Sequence, residues 1–169
     1  FALVQNTKGE FYTLDEYKDK VKDNQTDKDQ TAVWLYTTDE DKEHGFIQAA
    51  ESRSYDVIKM NGVLDSHFIN HMEQKLEKTT FKRVDADILD KLIDKGETKE
   101  SVLSDKEKED VKGIFDGAIN NKNASVSIES LSPDELPVVI TLPEFMRRMK
   151  DMAKTGGGSP FMMGDMPEM

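Results

Sequence analysis

A continuous run of apolar and β-branched residues, TAVWLYTT at positions 31–38, constrains the fold of this chain more than any other feature. A strand with one face in water alternates polar and apolar residues, and this run does not alternate. It therefore predicts a strand that is buried on both faces, as in a parallel sheet. A second strand is predicted at 55–60, where the sequence reads YDVIKM.

Helical patterns follow both strands and also precede the first. Apolar residues that recur every three or four positions predict helices at 13–23, after Asp39, from Asp65 or Ser66 onward, and at 86–94. An alternation of strands and helices is typical of a parallel sheet with right-handed crossovers. Residues 11–84 are therefore predicted to form a small α/β unit.

The pattern changes after the polar linker KGETKES at 95–101. An amphipathic helix is predicted next, and alternating residues at 124–131 and 138–142 predict two strands of a hairpin. A last helix is predicted at 144–154. Helix, hairpin and helix make a small α+β unit, and the glycine-rich tail at 155–169 is expected to be mobile.

The composition excludes several classes of protein. The chain has 34 acidic and 23 basic residues, a net charge of −11, and no cysteine. This charge repels phosphate backbones and anionic lipid, so nucleic-acid and membrane-surface partners are not expected. Without cysteine there is no disulfide, thiol nucleophile or iron–sulfur site. No apolar run is long enough to span a membrane, no signal peptide is visible, and both ends look cut, so we expect a cytoplasmic piece of a longer protein.

The sequence contains no pattern that favours a catalytic site or a metal-binding site. The loop after the first strand, TTDEDKEHG, is acidic where a phosphate-binding loop needs glycines and free amides. His67 and His71 lie one helical turn apart, but the sequence indicates no third ligand and lacks the glutamate of the zinc-protease motif. No serine lies in a nucleophile motif. A stand-alone enzyme is therefore the weakest hypothesis, and no catalytic residue, cofactor or metal is expected.

Methionine placement is the unusual feature. Seven of the nine methionines lie between positions 146 and 169. In the last predicted helix one apolar face holds Phe145, Met149, Met152 and Ala153, with Met146 beside it. Such a face either packs as core or, because methionine adapts to varied apolar surfaces, binds a partner. The residues alone leave both interpretations open.

Three long stretches carry a resemblance to a known family: FALVQNTKGEFYTLDEYKDKVKDNQTDK, YDVIKMNGVLDSHFINHMEQKLEKTTFKRVD and PVVITLPEFMRRMKDMA. They resemble the second half of bacterial chaperones of the heat-shock protein 90 family, and the likeness covers essentially the whole chain. It implies the end of the middle domain at 1–84, a connecting helix and linker at 85–101, the start of the C-terminal dimerisation domain at 102–154, and a tail at 155–169.

The resemblance also implies a function. In this family ATP, with Mg²⁺, binds an N-terminal domain that precedes Phe1, so this piece is expected neither to bind nor to hydrolyse ATP. Unfolded or partly folded client proteins are the implied partners. The implied contacts are Phe145, Met146, Met149, Met152 and Ala153 on the last helix, and His67 and Asn70 on the helix near the end of the middle domain.

Two further expectations complete this interpretation. The family is homodimeric through helices that follow Met169, so the piece itself is expected to be a monomer or to associate weakly through the methionine face. The competing hypothesis is an architectural segment that couples the ATPase and dimerisation domains without touching clients. In that case the methionine face would be packed inside the molecule.

Overall fold

The computed structural model describes residues 2–62, 64–96, 101–119, 124–131 and 137–154, with side chains described as far as Met149. The strands are β1 (Leu3–Gln5), β2 (Phe11–Thr13), β3 (Ala32–Thr37), β4 (Val57–Lys59) and β5 (Thr79–Arg83). The helices are α1 (Leu14–Val21), α2 (His44–Ser52), α3 (Asp65–Lys75), α4 (Leu89–Leu92), α5 (Asp105–Ile119) and α6 (Glu144–Lys154).

The chain divides into two compact units. The first joins the residues up to Gly96 to the segment that begins at Val139, and the described residues of the second are 101–119, 124–131 and 137–138. Helix α6 therefore groups with the α/β part of the molecule.

β3 is the centre of a parallel sheet with the order β4-β3-β5. Leu35 pairs with Val57 of β4, and Trp34 pairs with Phe81 of β5. Every residue of β3 is buried. The prediction of a strand covered on both faces, in a small parallel α/β sheet, is confirmed.

Alternate residues of β3 enter two separate apolar clusters. Trp34 lies with residues of α1 and α3 on one face, and Leu35 lies with residues of α2 and α4 on the other. The Trp34 ring is 4.7 Å from the Tyr17 ring and 5.1 Å from the Phe81 ring, measured between centroids. These aromatic contacts join α1, β3 and β5 in one core.

The first helix begins as its sequence indicates. The Thr13 hydroxyl accepts from the Glu16 amide (3.3 Å), and the Glu16 carboxylate accepts from the Thr13 amide (2.8 Å). This reciprocal capping box satisfies donors that the first turn of a helix leaves unpaired.

Three short elements were not predicted. β1 and β2 form an antiparallel hairpin in which Val4 is buried, while Leu3 and Phe11 are 59% and 63% exposed. β5 was missed because TTFKR carries two cations within five residues. The helix predicted at 86–94 is shorter than expected and spans only α4.

The second unit departs from its prediction. Helix α5 is present and begins at a capping box between Ser104 and Glu107. The described residues 124–131 and 138–142 form no strand, so the predicted helix–hairpin–helix unit is not confirmed. A two-stranded hairpin needs a packed face to be stable, and Ile140 is 79% exposed. The tail at 155–169 lies outside the described residues. Within the described ranges, no helix is both long and apolar enough to cross a bilayer.

Candidate functional site

Helix α6 is attached to the first unit through its charged side. The Arg148 guanidinium donates from Nη1 to Glu73 Oε2 (2.8 Å) and from Nη2 to Glu73 Oε1 (3.1 Å). Nη1 also donates to Asn70 Oδ1 (3.1 Å), and Nη2 donates to the Phe81 carbonyl (3.0 Å). Paired arginine–carboxylate hydrogen bonds are stronger and more directional than single ones. Arg148 therefore fixes α6 against α3 and β5.

The first residue of α6 makes a second attachment. Glu144 Oε1 accepts from the Tyr36 hydroxyl (2.6 Å), and Glu144 Oε2 accepts from the backbone amide of Arg83 (3.0 Å). Arg148 Nε donates to the same carboxylate over 2.8 Å. Glu144 thus joins the start of α6 to the carboxyl ends of β3 and β5.

Arg147 makes the third attachment. Its Nη2 lies 2.5 Å from Asp85 Oδ2, and its Nε donates to the Leu142 carbonyl (3.2 Å). Asp85 also lies 3.2 Å from Arg83 Nε, which in turn donates to Glu43 over 2.8 Å. Two carboxylates and two guanidiniums therefore neutralise one another beneath the start of α6.

Burial and ion pairing shift the pKa values in this cluster in opposite directions. Burial opposes ionisation of Glu73, but hydrogen bonds from Arg148 and from the Phe81 amide outweigh it and lower the pKa of Glu73 below 4.5. For Asp85, burial dominates over the attraction of Arg83 and raises its pKa above 3.8. The surroundings of Glu73 thus favour its charged form, whereas burial disfavours the charged form of Asp85.

The other side of α6 presents Phe145 and Met146 to solvent. The Phe145 side chain is 73% exposed and the Met146 side chain is 46% exposed, while Met149 is half-buried. The side chains of Met152 and Ala153 lie outside the described part of the chain. An amphipathic helix normally buries its apolar face and exposes its charged face. In α6 the described side chains do the reverse.

The two predicted site residues of α3 lie on a helix that contacts α6. His67 is exposed, and Asn70 is half-buried and accepts from Arg148. The structure therefore brings Asn70 next to α6. His67 is exposed to solvent.

One other candidate site has different properties. A depression of about 410 Å³ lies at the carboxyl ends of β3 and β4, where open α/β sheets often bind ligands. Its acidic residues include Asp39, which pairs with Lys42, and Glu40, which pairs with Lys59. This lining repels phosphate. Among the described residues, no group of three or more metal-ligating side chains comes together.

Comparison with known proteins gives a consistent result. No protein-family model matches the chain. Chaperone protein htpG of Bacteroides fragilis strain 638R is 41% identical over 172 residues, which cover 100% of this chain and 25% of that protein. Chaperone protein HtpG of Bacteroides thetaiotaomicron is 38% identical with the same coverage, and HtpG of Porphyromonas gingivalis strain W83 is 40% identical over 99% of this chain. The chain is similar to these HtpG proteins along its whole length.

The resemblance stated from the sequence is thereby confirmed. It extends over one segment of the HtpG proteins. The chain spans about a quarter of the length of the HtpG proteins that it matches. The sequence resemblance directed attention to Phe145 and Met146 but not to Arg148, Glu144 and Glu73, which hold α6 in place. Their spacing along the chain carries no signal, because Arg148 and Glu73 are 75 positions apart.

Proposed function

We propose that this chain is a client-binding segment of an HtpG-type chaperone, and that it holds unfolded or partly folded proteins on the exposed apolar side of α6. The contact residues would be Phe145, Met146 and Met149, continued by Met152 and Ala153. His67 and Asn70 of α3 would form the neighbouring part of the surface.

The observation that carries this proposal is the inverted attachment of α6. Arg147 and Arg148 are occupied by carboxylates of the first unit, while Phe145 is 73% exposed. Exposed aromatic and methionine side chains that are rimmed by charge are typical of protein-binding surfaces.

The energetics suit a reversible holder. Each large apolar side chain that becomes fully buried contributes about 1.5–3 kcal/mol. Ordering a flexible client and losing its translational freedom offset much of that gain. Several such contacts therefore give weak, reversible binding, and methionine allows different clients to fit.

The remaining functions of the whole protein are part of the same proposal. ATP and Mg²⁺ would bind in a part of the chaperone outside this segment, and dimerisation would use helices beyond Met169. The segment itself would then be monomeric and without catalytic activity. Its acidic character, with a net charge of −11, would keep a loaded complex soluble.

The experiment is a binding titration with a permanently unfolded, fluorescently labelled protein. We expect the variant Phe145→Ser/Met146→Ser to lose most of the binding that the unmodified chain shows. Leu3→Ser/Phe11→Ser is the matched control, because Leu3 and Phe11 are similarly exposed on the β1–β2 hairpin. Equal loss in both variants, or no binding by the unmodified chain, would contradict the proposal.

One observation favours the architectural alternative. Arg148 joins α3, β5 and α6 through five hydrogen bonds, including the one within its own helix, so motion of α6 would be transmitted to the sheet. If α6 serves only this purpose, Phe145→Ser/Met146→Ser leaves client binding unchanged and Arg148→Met alters the sheet.

A further inference from the structure

β5 is the outer strand of the parallel sheet in the part of the chain that the structure describes. Its inner neighbour β3 donates from the Ala32 amide to the Lys78 carbonyl (2.8 Å) and accepts at the Tyr36 carbonyl from the Val84 amide (2.9 Å). Residues of a strand alternate in the direction that their backbone groups face. Phe81 and Arg83 therefore direct their amides and carbonyls away from β3, toward the open edge.

Side chains form hydrogen bonds with backbone groups along this open edge. The Phe81 amide donates to Glu73 Oε1 (2.8 Å), and the Phe81 carbonyl accepts from Arg148 Nη2 (3.0 Å). The Arg83 amide donates to Glu144 Oε2 (3.0 Å). Two of these three caps, Arg148 and Glu144, belong to α6.

An edge strand is a template for another extended chain, and proteins commonly block such edges with charged side chains. The cap on β5 differs from a permanent block in one respect. It is carried by a helix whose described contacts with the sheet are charged and polar, while the apolar Phe145 remains in water. Main-chain hydrogen bonds from an extended segment would replace the Arg148 and Glu144 hydrogen bonds on the strand and offset part of their loss.

We infer that the outer edge of β5 is a second binding site for polypeptide, that α6 covers it with Arg148 and Glu144, and that an extended client segment pairs with β5 when α6 moves away. The partner is identified by the groups that displacement of α6 frees. The Phe81 carbonyl and the Arg83 amide match the backbone of an extended strand, while Glu73 of α3 still accepts from the Phe81 amide. The inference rests on the proposed function for the identity of this partner as a client.

The two surfaces would then bind different features of one client. The apolar side of α6 holds apolar side chains, while the β5 edge binds backbone regardless of sequence. Two ion pairs join α6 to the rest of the first unit, Arg147 with Asp85 and Arg148 with Glu73, and both must break before the edge is uncovered. Displacement of the helix uncovers the edge, and a segment that pairs with β5 favours the displaced position because it binds only there.

The test uses an eight-residue, fluorophore-labelled peptide of threonine and valine, which forms strands but lacks aromatic and methionine side chains. A second, control peptide carries N-methyl groups on alternate residues, so its backbone cannot donate hydrogen bonds along one edge. Both are titrated against the full chain and against Arg148→Met, which removes the cap from the Phe81 carbonyl. Lys22→Met is the control, since Lys22 pairs with Asp19 on the surface.

We expect Arg148→Met to bind the unmodified peptide at least tenfold more tightly than the parent chain does, and Lys22→Met to behave like the parent. The N-methylated peptide should show no such gain. Equal affinity of the folded Arg148→Met variant and the parent overturns the inference, as does equal gain with the N-methylated peptide. If Arg148→Met does not fold, Arg148→Lys takes its place, because it keeps the charge but not the paired contact.

The outcome is separable from that of the proposed function. Phe145→Ser/Met146→Ser removes the apolar side of α6 and leaves both caps intact. Loss of unfolded-protein binding in that variant tests the first surface, and the gain in Arg148→Met with the threonine–valine peptide tests the second.

Discussion

Arg148 and Glu73 form a paired ion bridge between two helices, with Nη1 2.8 Å from Oε2 and Nη2 3.1 Å from Oε1. This contact decides which side of α6 faces the molecule. Because the charged side is held, Phe145 and Met146 remain in solvent. The bridge therefore connects the fold of the first unit to the surface that we propose for clients.

Loss of the bridge is expected to lower stability by a measurable amount. Arg148→Met leaves Glu73 without its cation and the Phe81 carbonyl without a donor. Since both charged side chains are partly exposed, we expect a cost of about 1–3 kcal/mol in the free energy of unfolding. Urea titration followed by the fluorescence of Trp34 measures it, because Trp34 is fully buried beside Phe81. Lys22→Met should change stability by less than about 0.5 kcal/mol.

The bridge should also make stability depend on pH in a defined direction. The pKa of Glu73 is lowered in the folded state, so its contribution is complete above about pH 4.5 and is lost as the pH falls through the folded-state pKa. We expect Glu73→Gln to be less stable than the parent near neutral pH. The difference should shrink as the pH is lowered below 4.5 and Glu73 becomes protonated. A difference that stays constant over this range would contradict an ionised Glu73 as the anchor.

Substitution of the exposed residues should leave the fold intact. Because Phe145 and Met146 are largely exposed, Phe145→Ser/Met146→Ser should change the free energy of unfolding by no more than about 0.5 kcal/mol. Met72→Ser, at a buried position of α3, should cost about 2 kcal/mol or more. Thermal melts of both variants distinguish an exposed apolar side of α6 from a packed one. An early melt of the α6 variant would show that its apolar side is packed, as the architectural hypothesis requires.

The start of α1 allows a simple test of local structure. Thr13→Ala removes the hydroxyl that accepts from the Glu16 amide, and we expect a loss of about 1 kcal/mol. Thr13→Ser keeps this acceptor and should lie close to the parent. Equal losses in the two variants would mean that packing of the threonine methyl, and not the cap, stabilises this end of the helix.

The elements that could be predicted are those with strong local patterns. β3 follows from an unbroken apolar run, and α1 and α5 follow from capping boxes and periodic apolar residues. β5 could not be predicted, because a central Phe81 is its only large apolar residue and its cations serve contacts distant in the chain. Tertiary pairing with β3 overrides the weak local preference.

The candidate site, too, could be predicted only in part. The amphipathic pattern of α6 predicts which residues share a face, but it cannot say which face is covered. Arg147 and Arg148 resemble solvated surface residues in the sequence. They become anchors because Asp85 and Glu73, which are remote in the chain, lie beneath them. The orientation of α6 is thus a property of the assembled charge cluster.

The most direct test of the client surface uses the methionines as reporters. With ¹³C-methyl methionine in the otherwise unmodified chain, NMR spectra are recorded during titration with a permanently unfolded protein. Met60 and Met72 are buried in the core and serve as internal controls, while Met146 is on the exposed side of α6. We expect the Met146 methyl signal to shift or broaden with saturation of binding, while the signals of Met60 and Met72 stay unchanged. Saturated binding with an unchanged Met146 signal would contradict this expectation.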